Sequence, residues 1–350
     1  MKLSLRKQSG RVMKYNFQGD YMKIAVIGAG AWGTTLANTL AKKGLDVNLW
    51  VREQELCDEM KETGYNSVFL PDYKLSENMK CDSDPQTVLG GADYYILVVP
   101  SQFMRASLID LKPFFPKNPA VICASKGIEL KTGAPMSEVV FEALEGLNPR
   151  YGHISGPTFA YELSAEMPTS ITLGCEDKEL AEEIQELFNT SYLRVYTNPD
   201  YRGVELGGAI KNIMAIAAGI ADGLKFGHNA RAALITRGIA EMSRLGVAMG
   251  ATPSTFMGLS GMGDLVLTCT GDLSRNRQVG LKLGQGLKLN EILKMRMVAE
   301  GVKTTESVHF LAQKLGVEMP ITEQVYKILY KDKNPEKAFL DLMNRDLKAE

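Results

Sequence analysis

From Lys23 onward the chain alternates short apolar runs with longer stretches of helical period. KIAVIGAG (23–30) is a β-branched run closed by glycines, AWGTTLANTLAKKG (31–44) reads as a helix stopped by Gly44, and DVNLWVR (46–52) reads as a second strand. Strands this apolar on both faces, joined through helices, predict a parallel α/β sheet. The alternation continues through 93–100, 120–125, 151–155, 170–174 and 193–196, with helices expected near 102–111, 136–145 and 178–188. A sheet of that size covered by helices is doubly wound.

After Thr197-Asn198-Pro199 the strand signals stop. The segment 201–224, YRGVELGGAIKNIMAIAAGIADGL, is small or apolar on nearly every side, which predicts a helix buried at the centre of a domain. Segments 230–249, 278–285, 289–295, 304–315, 321–330 and 335–347 also read as helices. The expected organisation is an extension over 1–21, a nucleotide-binding α/β domain over 22–198, and an all-α C-terminal domain over 199–350. The extension carries Lys2, Arg6, Lys7, Arg11 and Lys14 but lacks the apolar core of a secretory signal, so a disordered tail, or a true start at Met13 or Met22, is expected.

Composition narrows the class. At 350 residues two domains are the natural expectation, and 40 basic against 41 acidic side chains give a net charge of −1. That balance argues against a general nucleic-acid binder, while allowing a local cationic pocket for an anion. Cys57, Cys81, Cys123, Cys175 and Cys269 are scattered with no CxxC pair, as expected of reduced thiols in a cytoplasmic protein. His153, His228 and His309 are equally dispersed, so no metal is expected. No apolar run reaches the length of a membrane span, and no stable membrane insertion is expected.

Gly28-Ala29-Gly30-Ala31-Trp32-Gly33 is a GxGxxG turn that ends the first strand and opens a helix. The first glycine permits the turn, the second lets the backbone approach a pyrophosphate, and the third lets helix and strand pack closely. In this context the turn predicts a Rossmann-like domain holding NADP or NAD. At the end of the second strand, Arg52 would suit the 2′-phosphate of NADP, and the next residue, Glu53, the ribose hydroxyl of NAD. NADP is the favoured expectation, with a solvated surface arginine as the plain alternative.

Charged residues stand where burial is expected. Lys211, beside Asn212, lies inside the apolar helix, where an unpaired ammonium would be costly. It is either a partly buried lysine paired with Glu205 or another acid, or a proton donor with a lowered pKa. Lys126 follows the strand 120–125 at the sheet edge where ligands bind, although a loop lysine without a role fits as well. Ser155-Gly156-Pro157-Thr158-Phe159-Ala160 reaches the same edge. Farther on, Gly261-Met262-Gly263-Asp264-Leu265-Val266-Leu267-Thr268-Cys269 precedes Ser274-Arg275-Asn276-Arg277. The latter reads as a short turn able to receive a phosphate, with Arg277 expected in solvent.

Taken together, GAGAWGTTLA, WVR, VVPSQ, SKGIE, SGPTFA, ELGGAIKNIMAIAAG, NARAALITRG, GMGDLVLTC and SRNRQVG, in this order from Met22 to Leu347, resemble the soluble bacterial NAD(P)-linked glycerol-3-phosphate dehydrogenases. The resemblance implies interconversion of dihydroxyacetone phosphate and sn-glycerol 3-phosphate, feeding phospholipid synthesis. It implies Lys211 as general acid/base, with Lys126 and Asp264 as its active-site companions. Gly156, Thr158, Ser274, Arg275 and Asn276 would contact the small phosphorylated substrate, with Asn212 and Thr268 nearby. Ala31, Trp32, Arg52, Lys126, Ala160, Arg275, Val298 and Glu300 would join Gly28, Gly30 and Gly33 at the cofactor. A homodimer is expected.

Overall fold

A computed structural model describes residues 22–295 and 299–347. The strands are β1 (Lys23–Ile27), β2 (Asp46–Trp50), β3 (Tyr65–Asn66), β4 (Leu70–Lys74), β5 (Met79–Asp82), β6 (Tyr94–Leu97), β7 (Ala120–Cys123), β8 (Arg150–Ser155), β9 (Thr169–Gly174) and β10 (Leu193–Asn198). Eight of them form one sheet in the order β10-β9-β8-β7-β6-β1-β2-β5, and β3 pairs with β4 as a separate hairpin. The order reverses beside β1, where the chain crosses from one half of the sheet to the other. Ligands in open α/β sheets bind outside the strand ends at such a point.

Between the strands run α1 (Ala31–Lys42), α2 (Gln54–Thr63), α3 (Pro85–Leu89), α4 (Met104–Leu111), α5 (Met136–Ala143), α6 (Ala160–Ser164) and α7 (Lys178–Phe188). Ile24, Val26, Val47, Leu49, Ile96 and Ile122 are fully buried, because helices cover both faces of the sheet. One departure from the expected parallel sheet is that β9 runs antiparallel to β8, with β10 parallel to β9. Buried apolar strands look alike in sequence whichever way they run, so direction has to come from the connections.

The rest is helical: α8 (Tyr201–Gly223), α9 (Gly227–Ala248), α10 (Asp264–Thr270), α11 (Arg275–Gly284), α12 (Leu289–Lys294), α13 (Glu300–Leu315), α14 (Pro320–Tyr330) and α15 (Pro335–Met343). Contrary to the expectation that no apolar run reaches that length, helix α8 is long and apolar enough to cross a membrane, yet its most apolar 18 residues are wholly buried within the protein. Its small residues let α11 approach to backbone contact. A Cβ on Gly219 would lie 2.1 Å from the Arg277 carbonyl oxygen, and one on Gly280 would lie 2.1 Å from that of Ile216. The helix is thus an axle gripped on all sides, and Lys211 is mounted near its middle.

Candidate active site

The glycine turn separates into two kinds of requirement. Gly28 has φ +116°, and a Cβ on Gly33 would lie 1.9 Å from the Gly28 carbonyl oxygen, so the fold itself demands glycine at both. Gly30 caps α1 with φ −66°, and a Cβ there would meet nothing within 4 Å. The space in front of Gly30 and the α1 N-terminus, with no acidic residue in that first turn, fits an approaching pyrophosphate. Ala31 opens α1, and the neighbouring Trp32 has its indole Nε1 buried without a protein partner.

Arg52 and Glu53 follow β2 and bind each other, the Arg52 Nε lying 2.9 Å from the Glu53 carboxylate. The arginine is exposed, so a 2′-phosphate would only have to draw it from a solvent-facing partner. Ala160 begins α6, and its carbonyl accepts a 3.4 Å hydrogen bond from Thr35 of α1. Glu300 begins α13. Burial raises its pKa, and the positive charges of Arg275, Lys126 and Lys211 oppose that rise. Val298, like the extension 1–21, lies outside the described residues.

At the centre, two lysines share one carboxylate. Lys211 is 6% exposed and Asp264 fully buried. The Lys211 ammonium donates to Asp264 Oδ1 and, at 2.8 Å, to Thr268 Oγ1. Lys126 donates to the other carboxylate oxygen at 2.7 Å and to the Gly156 carbonyl at 3.3 Å. Thr268 in turn donates to the Asp264 carbonyl at 2.6 Å. A π-turn over Leu259–Gly263 delivers Asp264 to this point, and a Cβ on Gly207 of α8 would lie 2.7 Å from the Ser260 carbonyl oxygen.

This arrangement corrects the alternative in which Glu205 pairs Lys211. Glu205 instead accepts from the Ser137 amide at 3.0 Å and its hydroxyl at 2.6 Å. Burial brings the Lys211 pKa down to about 8; Asp264 opposes the change, and the charge of Lys126 adds to it.

The Ser274–Arg277 segment is a helix start and not a free turn. Ser274 caps α11 by accepting from the Arg277 amide at 3.2 Å. Asn276 donates to Asn212 Oδ1 at 3.0 Å and accepts from the Gly301 amide at 2.9 Å, joining α11, α8 and α13. Arg275 is exposed and, among the described residues, makes no hydrogen bond or ion pair, which leaves its guanidinium available to an anion. Thr158 Oγ1 donates to the Gly156 carbonyl at 3.2 Å. Arg277, expected in solvent, is buried: it binds Asp222 at 2.7 Å and Asp272 at 2.8 Å. Desolvating a guanidinium is tolerable here because two carboxylates compensate it.

The N- and C-terminal family profiles described as NAD-dependent glycerol-3-phosphate dehydrogenase match residues 23–181 and 200–340. The chain is 82% identical over 329 residues to a glycerol-3-phosphate dehydrogenase (NAD(P)+) of Maridesulfovibrio salexigens, covering 94% of this chain and all of the relative. The chain belongs to the glycerol-3-phosphate dehydrogenase family. A relative of the same name from Solidesulfovibrio magneticus is 63% identical over 330 residues, covering 94% of this chain and all of its own. The solved glycerol-3-phosphate dehydrogenase of Coxiella burnetii superposes with a TM-score of 0.89 at 42% identity, over 93% of this chain and 99% of that one. A ketopantoate reductase of Ralstonia eutropha shares the fold alone, at 17% identity and a TM-score of 0.56 over 91% of this chain and all of that one.

Several groups that shape this glycerol-3-phosphate dehydrogenase site left no mark in the sequence pattern. The loop carrying Lys126 is clamped by Arg105, which donates to both oxygens of Glu129 at 2.9 Å, and by Gln102, which donates to the Ile128 carbonyl at 2.8 Å. Arg231 shares Asp222 with Arg277. Partners this distant in sequence produce no period or spacing. The only available signal was an acid, Glu129, three residues beyond a candidate lysine.

Proposed function

We propose that this chain reduces dihydroxyacetone phosphate to sn-glycerol 3-phosphate at C2, and catalyses the reverse, with Lys211 as the proton donor and acceptor. The observation that carries the reading is the buried Lys211–Asp264–Lys126 array, in a chain that also carries the open glycine turn. When bound, the nicotinamide supplies or takes the hydride. Lys211, as ammonium, donates its proton to the oxygen that becomes alkoxide, and Asp264 fixes the direction of its Nζ. Lys126 keeps a second positive charge beside the developing oxyanion.

Arg275, Ser274 and Asn276 at the start of α11 would hold the substrate phosphate, with Gly156, Thr158, Asn212 and Thr268 lining the space between. Holding that remote group turns its binding energy into placement of C2. Gly28, Gly30, Ala31, Trp32, Gly33, Arg52, Lys126, Ala160, Arg275, Val298 and Glu300 would hold the cofactor. NADPH is preferred over NADH because a 2′-phosphate has only to draw the exposed Arg52 from the solvent-facing Glu53. The reading includes a division into domains at about 198/199, a cytoplasmic homodimer, and no nucleic-acid partner.

The test is dihydroxyacetone phosphate reduction followed with NADPH and NADH in parallel, for the wild type and Arg52→Ala. Turnover is expected with both, and loss of the charge-assisted contact should raise KM for NADPH by roughly tenfold or more, and for NADH much less. Turnover of β-hydroxy acids without dihydroxyacetone phosphate turnover would overturn the substrate reading. Equal small effects of Arg52→Ala on both cofactors would overturn the cofactor reading.

A further inference from the structure

Behind the lysine pair lies a row of buried polar side chains that the mechanism does not use. Tyr151, His153 and Ser155 alternate onto one face of β8, which packs against α8. His153 is fully buried; its Nδ1 lies 3.0 Å from the Tyr151 hydroxyl and 3.9 Å from Glu205 Oε2, and its Nε2 has no protein partner. Ser155 is also buried with an unpartnered hydroxyl. It shares a notch in α8 with the Lys126 stem: a Cβ on Gly208 would lie 2.4 Å from Ser155 Oγ and 3.5 Å from Lys126 Cδ. Unpartnered buried polar atoms are uncommon enough to need an explanation.

The charges around this row are arranged in sequence. Burial, and after it the charge of Lys126, keeps the His153 imidazole neutral, its pKa brought down to about 3. Glu205, whose Oε2 lies 3.9 Å from the ring, is governed by burial, Ser137, Glu138 and Arg202. Cys123, the register partner of His153 on β7, also borders the row. The imidazole therefore lies close to both a buried acid and Lys126.

We propose that His153 is a positioning residue for Lys126: its neutral ring, wedged beside Ser155, separates Glu205 from Lys126 and leaves Asp264 as the carboxylate that Lys126 bridges. Without the ring, the ammonium would have two acids to choose from. Glu205 titrates near 7, so it carries charge in the very range where Lys211 loses its proton. Lys126 drawn toward Glu205 would leave Asp264 to Lys211 and remove a like charge from beside it. Both changes favour the Lys211 ammonium.

The inference rests on Lys211 as proton donor, and the experiment separates the two. The pH dependence of kcat for dihydroxyacetone phosphate reduction would be measured for wild type, His153→Ala and His153→Ala/Glu205→Gln. His153→Ala should lower kcat roughly ten- to a hundredfold, the scale of a displaced catalytic group, and move the basic limb upward by about half a unit or more. KM for the cofactor should hold. Adding Glu205→Gln removes the competing acid and should return the limb toward the wild-type position. Loss of a merely structural contact would not be repaired that way.

A basic limb unmoved by His153→Ala, or moved but not restored by Glu205→Gln, overturns the proposal. If His153→Ala does not fold, His153→Asn and His153→Gln grade the same spacing: the shorter side chain should move the limb and the longer one should not, and identical profiles overturn the idea. A wild-type enzyme with no basic limb would instead sink the role of Lys211 itself.

Discussion

A lysine in an apolar helix poses one question: what makes its burial tolerable? Here a carboxylate and a threonine hydroxyl meet Lys211, and burial still brings its pKa down to about 8. At neutral pH the group is an ammonium that gives up its proton readily, as a general acid should. Reduction needs that proton, so kcat should be flat below about pH 8 and fall as pH rises through it. Lys211→Met keeps the length of the stem and most of its packing. The variant should fold and bind cofactor through the glycine turn that opens α1, yet lose about 10²–10⁴-fold in kcat. Kinetics and melting temperature on one preparation decide the point: near-normal turnover eliminates the proton donor, and a protein that fails to fold marks a structural lysine. The position of Lys211 was visible in the sequence because one cation interrupted a long apolar run. Its partner could not be read from spacing, because Asp264 lies 53 residues away and Glu205, much nearer in sequence, faces Ser137; only the family resemblance pointed to Asp264.

Among the elements, those with a strong local signal were the legible ones. Helix α7 fills its expected span, 178–188, because its apolar residues recur at helical spacing and Asp177 caps it. The β3–β4 hairpin and β5 passed unnoticed because their exposed or mixed positions carry little period, and α2 because only Leu56, Cys57 and Met60 are buried in an otherwise polar stretch. The glycine turn was legible as a motif, but only the folded structure assigns a reason to each glycine. That assignment yields a paired prediction. Gly33→Ala forces a methyl group against the Gly28 carbonyl and should destabilise the protein by about 1–3 kcal/mol or more. Gly30→Ala meets no protein atom and has an ordinary φ, so stability should hold while KM for either cofactor rises by roughly tenfold, about 1.4 kcal/mol. Thermal melts beside cofactor titrations check both. If Gly30→Ala bound cofactor normally, the pyrophosphate would not approach at that point.

Across the whole molecule, buried ionisable groups set how stability responds to pH. Glu205 and Glu241 are both pushed up to about 7 by burial, although backbone and hydroxyl donors face each. A carboxyl whose folded pKa exceeds its unfolded value binds the extra proton in the native state, so stability falls as pH rises from the unfolded value near 4.5 to about 7. His153, held neutral, acts in the opposite sense between about 3 and 6.5. Glu300, whose pKa burial also raises, acts with Glu205 and Glu241, so three glutamates oppose one histidine up to pH 6.5, and above it only the glutamates change. Lys211 comes in later: its folded pKa of about 8 lies below its unfolded value, so stability recovers as pH rises beyond 8. Urea unfolding at fixed protein concentration should show stability declining by about 1–3 kcal/mol from pH 5.5 to 7.5. Glu241→Gln, remote from the lysine pair, should flatten that decline while leaving the pH profile of kcat unchanged. A wild-type stability that climbs steadily across the same window would mean that Glu205 and Glu241 ionise normally within the fold, with their donors outweighing their burial.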